Sequence, residues 1–193
     1  MIVRNRWVGI SELITHNNQC VDPMNPIAKE IKIINSKRKK TESDEEERSR
    51  LEWFSGLYLD KKTNKPIITG RCIAAAIRSG AKKLKLGKLV QEAVQVHDNP
   101  HIQYTGPTDP EQMWQDPNLK LRVPVKVGTA TVMRTRPQFP DWSLEFNIDL
   151  DETLMNQSEL REILDISGKR IGLCDWRPVY GRFNIDQFET KTD

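Results

Sequence analysis

The chain has 193 residues, of which 37% are hydrophobic and 30% charged, with a formal net charge of +3. This length fits one domain carrying insertions, with a core that needs neither disulfide nor metal. Cys20, Cys72 and Cys174 are widely spread and lack metal-ligand spacing, which suits free thiols in a reducing compartment better than a disulfide framework. No segment matches a membrane span and the N-terminus lacks a signal-peptide apolar region, so a cytoplasmic protein without membrane contact is expected.

Residues 2–14 read as a strand with a mixed pattern, followed by a turn-rich loop over 16–26 and a short helix over 26–34. Residues 35–50 form a charged, flexible insertion: Lys37, Arg38, Lys39 and Lys40 precede an acidic run at 44–47. A helix carrying Leu51, Trp53 and Phe54 closes it. A short strand over 57–59 leads into a turn at 61–65. Thr69 caps a helix that runs to about Leu86 and is stopped by Gly87. Residues 89–120 are a second insertion, lying between that helix and the next strand.

Residues 121–127 alternate apolar and polar and continue through Gly128 into 129–136, an extended β-hairpin; Pro124 places this run at a sheet edge or bulge. Residues 142–150 are the clearest strand, with Trp142, Leu144, Phe146, Ile148 and Leu150 on one face. Asn156 and Glu159 have capping-box spacing before a helix that buries Leu160, Ile163 and Leu164 and ends near Gly168. Phe183 and Ile185 alternate in a last strand. The order strand, helix, strand, strand, helix, strand predicts an α+β fold, a ferredoxin-like (RRM-like) βαββαβ core within a single domain over 1–193.

Charge is unevenly distributed. Residues 61–88 contain nine Lys or Arg and no acid, and residues 120–136 contain five more, again without an acid. At 3.6 residues per turn, Arg71, Arg78, Lys82 and Lys85 share one side of the capped helix, opposite Ile73, Ala76, Ile77 and Leu84. With Lys83 and Lys88 beside it, this cationic line can follow a phosphodiester backbone. A helix without acids also forgoes the opposite-charge pairs that would stabilise it. Lys126, Arg134 and Arg136 on the hairpin, and Arg177 and Arg182 in the glycine-containing loop 172–183, complete the nucleic-acid-binding candidates. Aromatic residues near the basic segments are few, so no stacking platform or base-specific reading is expected.

The loop 172–183 resembles the glycine-rich loop of the RAMP superfamily, the RNA-binding subunits of CRISPR effector complexes. The run Pro66-Ile-Ile-Thr-Gly-Arg-Cys-Ile-Ala-Ala-Ala-Ile-Arg78 also looks like the RAMP segment in which a strand end meets the first helix. The Asp22-Pro23 loop, Lys39-Lys40-Thr41, Gly56-Leu-Tyr58 and Val132-Met-Arg-Thr-Arg-Pro137 are similar to a widespread phage and prophage protein family. The RAMP resemblance implies head-to-tail stacking along a single strand, with the first helix, hairpin and loop near nucleic acid. Asp175 and Trp176 depart from a purely glycine- and arginine-rich loop, and Trp176 can instead belong to the core.

His16, His97 and His101 are the acid–base candidates, because some RAMP relatives cleave RNA with a histidine. Spacing shows no partner for any of them, and no HExxH, P-loop, GxSxG or clustered-carboxylate motif is present. Asp22, Asp109 and Asp116 precede prolines and read as turn residues. No catalytic residue, cofactor or metal is assigned. The leading expectation is a non-enzymatic, cooperative binder of single-stranded RNA or DNA that assembles with itself in a bacterial host cell. The alternatives are a mimic of a CRISPR effector backbone subunit that contacts effector subunits, and a metal-independent ribonuclease.

Overall fold

A computed structural model describes residues 1–191. Strand β1 (Ile2–Gly9) sends Val3, Asn5 and Trp7 inward and Arg4 and Arg6 outward. Its pattern is mixed because the inward position Asn5 is polar. That side chain is fully buried, and its Nδ2 donates to the Val3 carbonyl at 3.0 Å. The strand stops at Gly9, short of Ile14. Leu13–Ile14 (β2) joins a different sheet.

The elements that follow are α1 (Pro26–Ser36), α2 (Glu42–Gly56), α3 (Gly70–Ala81), α4 (Leu89–Ala93), β3 (Val94–Gln95) and α5 (Pro110–Gln115). The chain ends with β4 (Lys120–Val127), β5 (Ala130–Phe139), β6 (Ser143–Leu150), α6 (Gln157–Ile166) and β7 (Phe183–Lys191). The main sheet is antiparallel in the order β3-β6-β1-β7, which is the ferredoxin-like arrangement for β1-α3-β3-β6-α6-β7. Helices α3 and α6 cover its inner face through Ile73, Ala76 and Ile77 and through Leu160, Ile163 and Leu164, all buried. Trp7 centres this core, stacked on Phe183 at 4.0 Å and edge-on to Phe146 at 4.8 Å.

The fold class agrees with the sequence, but its second core strand is not residues 121–127. That position belongs to Val94–Gln95, which pairs with Leu150 and Asp149. The β4–β5 hairpin instead makes a separate sheet with β2, in the order β2-β5-β4, and Pro124 lies on its edge strand. A sheet edge needs only two paired residues to register here, too short a run for alternation to reveal.

Helix α2 includes the acidic run and starts at a capping box between Thr41 and Asp44. Lys37 is ion-paired to Asp44, whose carboxyl is lowered to about 2 by that bond and by the Thr41 backbone N–H. The C-terminal half of α2 buries Leu51 and Trp53. The Trp53 indole donates to the Leu119 carbonyl at 2.8 Å, and its ring meets Phe54 and Trp114 edge-on. The 57–59 strand reduces to a single bridge between Leu59 and Pro66; the turn after it is organised by Asp60, which accepts from the backbone of Lys62 and Thr63.

Candidate nucleic-acid interface

Thr69 caps α3 as its position predicts, its hydroxyl accepting from the Cys72 backbone N–H. The helix is shorter than expected. It ends at Ala81, tightens into a 3-10 turn over Lys82–Leu84 and leaves through Lys85, which takes a left-handed φ of 63°. Arg71, Arg78 and Lys82 therefore form the exposed helical line, and Lys85 is carried off it by the turn. Lys83, Lys85 and Lys88 are exposed beside the line. Among the described residues, none of these six cations has a carboxylate within ion-pair distance.

Two cavities flank the outward side of α3. One, of about 320 Å³, is lined by Arg71, Arg78, Gln91 and Gln95 over a floor of Ile77 and Val90. The other, of about 210 Å³, is lined by His16, Asn18, Tyr58, Cys72, Asp175 and Arg177. Ala75 borders both, and is exposed. The small side chains at the middle of the helix separate the two polar grooves.

Loop 172–181 reaches the second cavity because its backbone is tied to the segment that leads from β1 through β2. Gly181 donates to the Glu12 carbonyl at 2.7 Å and Asp175 to the Ile14 carbonyl at 2.9 Å. Gly181 has φ +73°, and a Cβ there would collide with the Leu173 carbonyl oxygen, so the position admits only glycine. Trp176 is half-buried on this loop, tilted against Tyr180 at 6.1 Å and faced by the Arg136 guanidinium at 5.9 Å. It is a loop residue, outside the main hydrophobic cluster.

The remaining candidates divide. Arg177 and Arg182 are exposed. Lys126 is exposed near the hairpin tip. Arg134 and Arg136, in contrast, are engaged within the protein. Arg134 bonds Glu52 at 2.6 Å, and Arg136 lies 3.5 Å from Asp175 while also donating to the Thr135 carbonyl at 3.1 Å. They brace the hairpin against α2 and the loop. The outer face of the main sheet is also self-neutralised: Arg4 and Arg6 pair with Glu145, and Arg6 with Asp186 at 3.0 Å.

Of the histidines, only His16 lines the cavity beside α3. Its Nδ1 is buried without a hydrogen-bond partner, and burial, then the Arg136 charge, hold its pKa below the ordinary value, so it is neutral at pH 7. The Tyr58 hydroxyl donates to the His16 carbonyl at 3.1 Å, and its pKa is raised, chiefly by burial. His97 is exposed, and His101 sits in a bridge to Ile67. Tyr58, Cys72 and Cys174 are not among the sequence candidates, because nothing local in the chain joins them. Among the described residues no group of three or more His, Cys, Asp or Glu could hold a metal ion, and no helix is long and apolar enough to cross a membrane.

No family model matches this chain, and no curated protein matches it; the phage and prophage resemblance gains no support from these comparisons. Among solved structures the chain is similar to a subunit in the cryo-EM structure of the Type III-B Cmr-beta bound to cognate target RNA. The TM-score is 0.58 at 16% identity, over 97% of this chain. This defines the protein as one with a ferredoxin-type α+β fold. The chain spans 59% of the length of that subunit.

Proposed function

We propose that this protein binds single-stranded nucleic acid without cleaving it, largely independently of sequence, along the exposed side of α3 and loop 172–181. The observation that carries this reading is the row of Arg71, Arg78, Lys82, Lys83, Lys85 and Lys88, exposed and without ion pairs among the described residues. Uncompensated like charge repels itself, and a polyanion relieves that repulsion while releasing its own counterions. Arg177 extends the row across Ala75, and Trp176 with Tyr180 offers a half-buried aromatic edge beside it. The fold shared with a subunit of an RNA-bound effector complex supports RNA as the first ligand to test. Copies bound head to tail along one strand would make binding cooperative.

Fluorescence anisotropy with labelled single-stranded RNA and DNA over a range of salt concentrations tests this reading. With six phosphate contacts the slope of log affinity against log salt should be about −4. Absence of binding at low salt would remove it. Electron microscopy with and without a long strand tests the head-to-tail arrangement, which requires filaments only when the strand is present.

Two other readings rest on single observations. The shared fold favours an interaction protein that docks on CRISPR effector subunits; effector capture without any oligonucleotide binding would select it. The unpartnered Nδ1 of neutral His16 beside Tyr58 favours a metal-independent ribonuclease. RNA cleavage in chelator that His16→Ala abolishes would select that one.

A further inference from the structure

Cys72 lies in the first turn of α3, one residue past Arg71, and Cys174 lies in loop 172–181 with a left-handed φ of 61°. They come from opposite ends of the core, yet both line the 210 Å³ cavity that also holds Tyr58 and Arg177. The third cysteine, Cys20, sits on the 3-10 turn Asn18–Val21, and is not part of that lining. We propose that Cys72 and Cys174 are a peroxide-responsive dithiol that closes to an intramolecular disulfide tying α3 to loop 172–181.

The surroundings give the two sulfurs different roles. Cys72 is partly exposed, and the Thr69 hydroxyl donates to its sulfur at 3.2 Å. Its pKa falls to about 6, first through the neighbouring Cys174 thiol, then through Thr69, Tyr58 and the Arg177 charge, against an opposing effect of burial. Cys174 moves the other way. Although its residue keeps some surface, its thiol is enclosed, and the neighbouring Cys72 together with burial raises its pKa. The Thr69 hydroxyl and the N-terminal turn of α3 favour the anionic, nucleophilic form at Cys72, while enclosure favours the neutral thiol at Cys174. In reducing compartments disulfides, where they form, are usually transient and catalytic or redox-sensing.

The chemistry balances with hydrogen peroxide as the oxidant. The Cys72 thiolate attacks one peroxide oxygen, forming an S–O bond as the O–O bond breaks; the departing hydroxide takes up a proton and leaves as water. Cys72 is now a sulfenic acid. The Cys174 thiol then gives up its proton and attacks the Cys72 sulfur. The S–S bond forms, the S–O bond breaks, and the second hydroxide leaves as water. Two thiols are oxidised by two electrons and one peroxide is reduced to two waters. The product fixes the loop bearing Arg177 to the cationic helix, and a thiol reductant reverses it.

The test uses the full chain, reduced, desalted and treated with equimolar hydrogen peroxide. Non-reducing peptide mapping should find Cys72 joined to Cys174, with Cys20 still open to alkylation. Cys174→Ser should stop at a Cys72 sulfenic acid that dimedone traps, and Cys72→Ser should slow peroxide consumption by about tenfold or more, as loss of the thiolate requires. Mapping of the wild-type chain decides the matter even if a variant folds poorly. Cross-links through Cys20, bonds only between chains, or Cys72 and Cys174 both still alkylated after peroxide would overturn the proposal. None of these outcomes depends on nucleic-acid binding.

Discussion

The buried Glu52 carboxylate accepts from the Arg134 guanidinium at 2.6 Å and, through its other oxygen, from the Thr135 backbone N–H at 3.1 Å. This pair joins helix α2 to the middle of the hairpin. Arg48 adds a longer bond at 3.3 Å, and the Ser49 and Thr135 hydroxyls meet at 2.6 Å alongside. Two arginines that look in sequence like hairpin cations are thereby given structural partners: Glu52 for Arg134 and Asp175 for Arg136.

Removing Glu52 leaves the Thr135 N–H and the Arg134 guanidinium without their acceptor, while Arg48 keeps Glu45 at 2.8 Å. Glu52→Ala should lower stability by about 3 kcal/mol, the usual effect of breaking a buried charged bond from one side. At this chain length that is roughly 6–12 °C in Tm. Thermal unfolding by circular dichroism measures it, and an unchanged Tm would show that the clamp contributes nothing.

If α3 carries the nucleic-acid face, the triple variant R71A/R78A/K82A should flatten the salt dependence of binding by about three in slope for duplex-like contacts, or about two for a single strand. Arg134→Ala should leave that slope unchanged and lower Tm instead, because Arg134 is bonded to Glu52. Anisotropy titrations at several salt concentrations, paired with melting curves, separate the two effects.

The close approach of α3 to α6 rests on Gly80. A Cβ there would collide with the Ser167 Oγ and stand 2.9 Å from the Ile163 carbonyl oxygen. The hydroxyl is itself held by that carbonyl at 2.7 Å, so it could turn away only by giving up that bond, and the carbonyl is fixed in the helix backbone. Gly80→Ala should cost about 1–3 kcal/mol by overpacking. Gly128, at the hairpin tip with φ +61° and no atom within 4 Å of where a Cβ would stand, is the control. Gly128→Asn should change stability by no more than about 0.5 kcal/mol. Urea unfolding of the two variants checks both.

His16 sets a pH dependence whose sign follows from its environment. Its folded pKa lies below the unfolded value near 6.5 because burial, and then Arg136, disfavour the charged form. Arg134 acts in the same direction; Asp175 and Glu52 oppose it. Above that unfolded value the histidine is neutral in both states and has no effect. As pH falls below it, the unfolded chain takes up the proton first, and stability is lost until the folded pKa is passed. Urea midpoints at pH 7 and pH 5 should therefore differ more for the wild-type chain than for His16→Asn. Equal differences would place the acid sensitivity elsewhere.

Much of the architecture is legible locally. The alternation from Trp142 to Leu150 places four apolar side chains on the buried face of β6, with buried Trp142 just before it. Thr69 and the Asn156–Glu159 capping box mark the starts of α3 and α6 because each cap bonds to backbone within three residues. The exposed cations of 71–88 are legible for the same reason, since amphipathic spacing on a helix decides which side meets water.

The longer helices and strands, the α+β class and the cationic helix without acids therefore follow from the chain alone, because periods and caps act over one or two turns. Tertiary pairing is what selects Val94–Gln95 rather than residues 121–127 to complete the main sheet, since a two-residue strand takes its register from β6. Packing likewise binds Arg134 and Arg136 within the protein and brings Cys72 and Cys174 to one cavity. These pairings are made between segments remote in the chain, where distance in space, not spacing in sequence, sets the energy.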